Sequence, residues 1–164
     1  MIPEIKKILF ATDLSENAKY AFKYAAAIAN KFEAKITILH VIETLSPVVE
    51  SQLIGFLGEG QWHEMQKINE QEYIDKIKNR LNDFCNEMNA DLKPCSFLVD
   101  EVLVKRGIPV EEILNTVSTA NSDMVIMGTH GYGLLADAII GSTARRVIRR
   151  CKKPVMAIRL PRQE

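Results

Sequence analysis

With 164 residues, 47% of them hydrophobic and 26% charged, the chain is sized for one globular domain that needs no disulfide or metal staple. Lysine plus arginine and aspartate plus glutamate each number 21, a balance that argues against nucleic acid, whose phosphates demand a basic excess. No apolar run approaches the ~20 residues of a membrane span, and the wide spacing of Cys85, Cys95 and Cys151 fits reduced thiols in the cytoplasm rather than a metal or redox pair.

Met1 to Lys7 leads straight into a strand-like run, so no signal peptide is expected. Ile5 to Thr12 is a short apolar strand that ends at Asp13. Ser15 then offers an N-cap oxygen and Glu16 a first-turn carboxylate. Ala18, Ala21, Phe22, Ala25, Ala29 and Phe32 recur at helical spacing behind them, with alanines small enough to let that helix lie close to a sheet. Lys35 to Val41, rich in branched residues, predicts a second strand. Glu43 to Gln61 has no clear period and contains Pro47, Gly55, Gly58 and Gly60, so it reads as a long loop, a lid or partner-contacting segment. Its apolar residues, among them Val48, Val49, Phe56 and Leu57, argue against a fully solvated linker.

Met65, Ile68, Tyr73, Ile77, Leu81, Phe84 and Met88 mark one stripe of a long helix expected to pack on the sheet. Cys95 to Lys105 predicts a third strand, and Gly107 with Pro109 closes it and opens the next helix, buried through Val110, Ile113, Leu114 and Val117. Asp123 to Met127 is a fourth strand, Ala138 to Arg150 a further helix, and Pro154 to Ile158 a last strand. This alternation predicts an α/β domain over residues 1–164, a doubly wound parallel sheet with helices on both faces. Ligands of such sheets sit beyond the carboxyl ends of the strands, which directs attention to Thr12, Asp13, His40, Val41 and the residues from Met127 onward.

The chemistry concentrates after the fourth strand. Gly128, Gly131 and Gly141 permit close backbone approach, and successive exposed N–H groups in such a turn make an anion site. Gly141-Ser142-Thr143 adds two hydroxyls near the start of a helix, where the dipole favours negative charge. His130 is a further donor. A Walker loop is excluded, because no glycine–lysine–serine or threonine element with that spacing occurs. Gly131-Tyr132-Gly133-Leu134-Leu135-Ala136 satisfies a dinucleotide fingerprint, but the acidic residue due about 20 residues later is missing from Val155 to Arg159. Glycine turns serving chain geometry alone remain an alternative. Asp13 suits ribose or water-mediated metal contact, or a plain turn. His40 reads as a structural histidine at a strand end. The basic run Arg145, Arg146, Arg149, Arg150, Lys152 and Lys153 reads as charge complementing a helix C-terminus. No nucleophile–base pair is visible, and the G-x-S-x-G elbow is absent.

Gly128-x2-Gly131-x9-Gly141-Ser142 resembles the nucleotide-binding signature of the universal stress proteins, in their ATP-binding branch. Ile8 to Ser15, His40-Val41, Gly107-Ile108-Pro109 and Cys151 to Val155 resemble other parts of that family, so the likeness covers the whole chain. It implies an adenine nucleotide alpha-hydrolase-like fold with five strands in the order 3-2-1-4-5, and a homodimer paired through the last strand. It also implies that Ala11, Thr12, Asp13, Val41 and Met127 surround adenine and ribose. Gly128, His130, Gly131, Gly141, Ser142 and Thr143 would line the phosphates of ATP, ADP or AMP, with Mg or Mn bridging them. Some members carry proline at the position of Ala11, a change that a backbone contact survives. Three readings stay open: a nucleotide-responsive regulator of stress responses, a slow ATP hydrolase or adenylate-handling enzyme, and a dimeric interaction module that needs no nucleotide.

Overall fold

Buried strands alternate their side chains between two faces, and the central strand of this protein shows the consequence. In the computed structural model, which describes residues 1–87, 98–130 and 140–161, β1 (Lys7–Thr12) sends Ile8 and Phe10 to one core and Leu9 and Ala11 to another. The same partition runs through β2 (Lys35–Glu43) and β4 (Met124–Gly128). Ile36, Ile38, Met124 and Ile126 join the first core, and Leu39, Val125 and Met127 join the second. With β3 (Val99–Gly107) and β5 (Val155–Ile158), the strands form one sheet in the order β3-β2-β1-β4-β5, every pair parallel. The expected doubly wound order is therefore observed.

Two helix layers cover the faces. On the first, α1 (Glu16–Phe32) lays Ala21, Ala25, Ala26 and Ala29 against the strands, and α3 (Glu59–Glu87) contributes Ile77 and Phe84. Phe22 stands edge-on between Phe10 (5.1 Å between ring centres) and Phe84 (5.0 Å). On the second face lie α4 (Pro109–Thr119), through Val110, Ile113 and Val117, and α5 (Ser142–Arg150), through Ala144 and Val147. Register brings the carboxyl ends level: Thr12 pairs with His40, and Ala11 with Met127. At the other edge Asp123 Oδ2 accepts the N–H groups of Lys6 and Lys7, both at 2.9 Å, fastening β1 to the start of β4.

Several expectations need correction. The segment Glu43 to Gln61 is not a loop. β2 extends to Glu43, α2 (Pro47–Leu57) follows, and α3 begins at Glu59. Pro47 occupies the first turn of α2 behind the Ser46 cap, and Gly58 caps its end at φ 80, so both residues bound a helix rather than break one. The period was invisible because no residue of α2 is buried. Of the long apolar stripe, Tyr73, Ile77, Leu81 and Phe84 reach the core, whereas Met65 and Ile68 are exposed. The third strand starts at Val99 and runs to Gly107. The final helix starts at Ser142, because Ile140 and Gly141 are not helical. Met88, residues 95–97 and residues 138–139 lie outside the described residues.

Candidate functional site

The carboxyl ends of β1, β2 and β4 open onto a cleft of about 770 Å³. β1 brings Ala11, Thr12 and Asp13 to it, and β2 brings His40 and Val41. Met127, Gly128 and His130 come from the end of β4, and Gly141, Ser142 and Thr143 from the entry to α5. Gly131 lies outside the described residues. Sequence reasoning missed Pro109 and Ile113 of α4, which also line the cleft beside the end of β2. The rim rule that singled out strands one, two and four applies equally to the end of β3, where α4 begins.

The turn from β1 into α1 is built to present Asp13. Leu14 adopts φ 66, a left-handed conformation uncommon for a branched side chain, while that side chain is only 4% exposed. Three bonds hold this arrangement. Leu14 N–H donates to Thr12 Oγ1 (3.0 Å), Ser15 N–H donates to Asp13 Oδ1 (3.0 Å), and Arg80 from α3 donates to the Leu14 carbonyl. Ser15 Oγ in turn accepts from Ala18 N–H at 3.1 Å, capping α1. Asp13 is therefore both a turn residue and an exposed carboxylate at the cleft.

His40 is 7% exposed and stacks at 4.7 Å on Tyr73 of α3. Its Nδ1 lies 2.8 Å from the Thr12 carbonyl, a geometry in which Nδ1–H donates and Nε2 is left as the acceptor of the neutral ring. Burial pushes its pKa below the ordinary histidine value; the Thr12 carbonyl and Asp13 pull the other way, and Lys76 reinforces the fall. The folded state thus resists a proton that the unfolded chain accepts near pH ~6.5. Stability present above that pH is expected to shrink as pH falls through it. Chemical denaturation at about pH 7.5 and about pH 5.5 checks this: the wild type should lose more stability than His40→Asn. Equal losses would remove His40 as the source.

Two glycines, Gly128 and Gly141, set a further part of the cleft wall. A Cβ on Gly128 would stand 2.9 Å from Asn17 Nδ2, and one on Gly141 would stand 2.8 Å from the Thr129 carbonyl oxygen. Gly141 N–H donates to that carbonyl at 2.7 Å, and Thr129 N–H donates to Ile158 O at 2.9 Å. Thr129 Oγ1 lies 2.9 Å from His130 Nδ1. Gly141 is the N-cap of α5 and supplies no side-chain cap bond, and the first turn of α5 holds no acidic residue. The first N–H groups of a helix have no partner within it, so the entry to α5 offers donors and a positive dipole end to an anion. At its other end Arg150 forms a two-pronged pair with Glu111 of α4 (2.5 and 3.1 Å), partly exposed and so of small worth.

Among the described residues no group of three or more histidine, cysteine, aspartate or glutamate side chains could hold a metal. A divalent cation here would need ligand oxygens for most of its shell. Among the same residues no helix is long and apolar enough to cross a membrane.

Comparison with known proteins bears on the family. Residues 4–159 match the Universal stress protein family. Universal stress protein MJ0577 of Methanocaldococcus jannaschii is 32% identical over 161 residues, covering 94% of each chain. A solved structure of MJ0577 superposes with a TM-score of 0.76 at 25% identity, covering 98% of this chain and 100% of that one. A universal stress protein from Archaeoglobus fulgidus, solved in complex with dAMP, shares the fold with a TM-score of 0.55 at 20% identity, covering 96% of this chain and 98% of that one. The chain belongs to the universal stress protein family.

Proposed function

We propose that the cleft binds an adenine nucleotide, ATP foremost, and that the protein is a cytoplasmic, nucleotide-responsive regulator of stress responses. The observation that carries this reading is the meeting of two chemistries in one cleft. The uncapped entry to α5, with Ser142 and Thr143, suits an anion, and Asp13 with the end of β2, lining the same cleft, suits a ribose and a base. In this reading Ala11, Val41 and Met127 frame the adenine and Thr12 and Asp13 meet the ribose. Gly128, His130, Gly131, Gly141, Ser142 and Thr143 surround the phosphates, with Mg or Mn held chiefly by phosphate oxygens. The cleft volume falls in the range of small-molecule sites, and the Archaeoglobus fulgidus relative holds an adenine nucleotide, dAMP. β5 lies at the sheet edge and offers its outer side to a second copy, the expected homodimer contact.

Regulation is favoured over catalysis because Asp13 and His40 stand, in this reading, at the ribose and base end of the cleft, away from the phosphates a hydrolase would attack. Each has one polar atom held by the β1 turn, Asp13 Oδ1 by Ser15 N–H and His40 Nδ1 by the Thr12 carbonyl. Equilibrium dialysis with ATP and magnesium is expected to give sub-millimolar binding. No saturation up to millimolar ATP would end the nucleotide reading. Turnover near the ~1 per second of dedicated enzymes would promote the hydrolase instead.

A further inference from the structure

Asn17, in the first turn of α1, belongs to no motif, yet it is 4% exposed and reaches across the fold. Its Nδ2 donates to the carbonyl of His130, 113 residues away. That acceptor fixes the amide's orientation, since the reverse would set two oxygens face to face. The same nitrogen would lie 2.9 Å from a Cβ on Gly128, so glycine is what admits the amide here. Asn17 Oδ1 is buried with no hydrogen-bond partner among the described residues. An unpaired buried acceptor is unfavourable, and such features persist where the group serves a purpose. A leucine of similar size would fill the space without that penalty. What only the amide supplies is the grip on His130.

We propose that Asn17 is the positioning residue for the nucleotide's phosphates. Its amide anchors Gly128–His130 to α1 and holds Thr129, whose carbonyl accepts from Gly141 N–H at 2.7 Å. The two ends of the phosphate wall are thereby kept in one arrangement. Asn17 stands behind that wall rather than on it, and the base end of the cleft, at Val41 and Pro109, is built without it. The inference rests on the nucleotide reading and adds a selectivity to it: losing the amide weakens the grip on phosphates and spares the nucleoside.

Calorimetric titration of adenosine, AMP, ADP and ATP with magnesium tests this, using wild type, Asn17→Leu and Asn17→Asp, with folding checked by thermal melting. Leucine removes both amide atoms. Aspartate keeps the size and loses the donor, and it remains informative where leucine fails to fold. ATP affinity is expected to fall about tenfold or more in each folded variant, the scale of a lost polar anchor, while adenosine affinity stays within about twofold. Equal loss for adenosine and ATP, or ATP affinity unchanged in a folded variant, overturns the role of Asn17 alone. Wild type that binds none of the four ligands overturns the nucleotide reading, and the role of Asn17 with it.

Discussion

Replacing Gly141 by valine is expected to abolish measurable ATP binding while the sheet stays folded. Even alanine places a Cβ 2.8 Å from the Thr129 carbonyl oxygen, a distance real Cβ atoms essentially never show. The obstacle is backbone, and it cannot easily retreat, because Thr129 N–H is bonded to Ile158 O in β5. The entry to α5 must therefore move away from the end of β4, breaking the bond from Gly141 N–H and pulling the α5 donors off the anion. Losing one or two charge-assisted hydrogen bonds corresponds to a fall of about 10- to 100-fold for Gly141→Ala. Valine adds two more carbons at the same point. Stability should drop by about 1–3 kcal/mol, the usual cost of forcing atoms into a closed contact. Equilibrium dialysis and thermal melts read both effects. If Gly141→Ala binds ATP within about threefold of wild type, the phosphates do not rest on the start of α5. Gly55 marks the contrast: a Cβ there meets nothing within 4 Å, so packing makes no demand for glycine at that position.

The glycines show how much of the site was legible. Their spacing located the wall, since Gly128 and Gly141 do line the cleft with Asp13 and Val41. Sequence alone leaves two reasons for them, close approach of the backbone to a ligand and turns that serve chain geometry. The first atoms an added side chain would strike belong to the protein itself, the Asn17 amide and the Thr129 carbonyl. Glycine here lets two parts of the chain approach, and only contacts between distant segments reveal that. Asn17 was invisible for the same cause, as its partner lies 113 residues away. The sheet was easier to read, because strands buried on both faces leave continuous apolar runs, such as Ile8 to Ala11. α2 defeated the reading, because helical periodicity is the imprint of one-sided burial and α2 buries no side chain. In α3 the stripe outruns the sheet. Its 29 residues span about 43 Å, against about 20 Å for a strand such as β1, so Met65 and Ile68 extend past the core that receives Ile77 and Phe84.

That difference between equally apolar residues has a measurable consequence at Ile126 and Phe56. Ile126 is fully buried in β4, between Phe10 of β1 and Met156 of β5 in register, and packs in the core with Phe22. Ile126→Ala removes three carbons from a site walled by paired strands, which cannot close over the gap, so the expected loss is about 2–5 kcal/mol. Phe56 is 89% exposed on α2, and its replacement by alanine deletes a larger side chain with an expected change within about 0.5 kcal/mol. Urea denaturation of both variants against wild type makes the comparison. The side chain of Ile126 packs in the α1/α3 core and Met127, one residue on, in the α4/α5 core. Folded Ile126→Ala should therefore keep its ATP affinity within about threefold, separating the platform from the site it carries. An Ile126→Ala loss below about 1 kcal/mol would mean the core on that face is looser than drawn. A Phe56→Ala loss as large as that of Ile126→Ala would mean that α2 is buried against something in solution, most simply another copy of the chain.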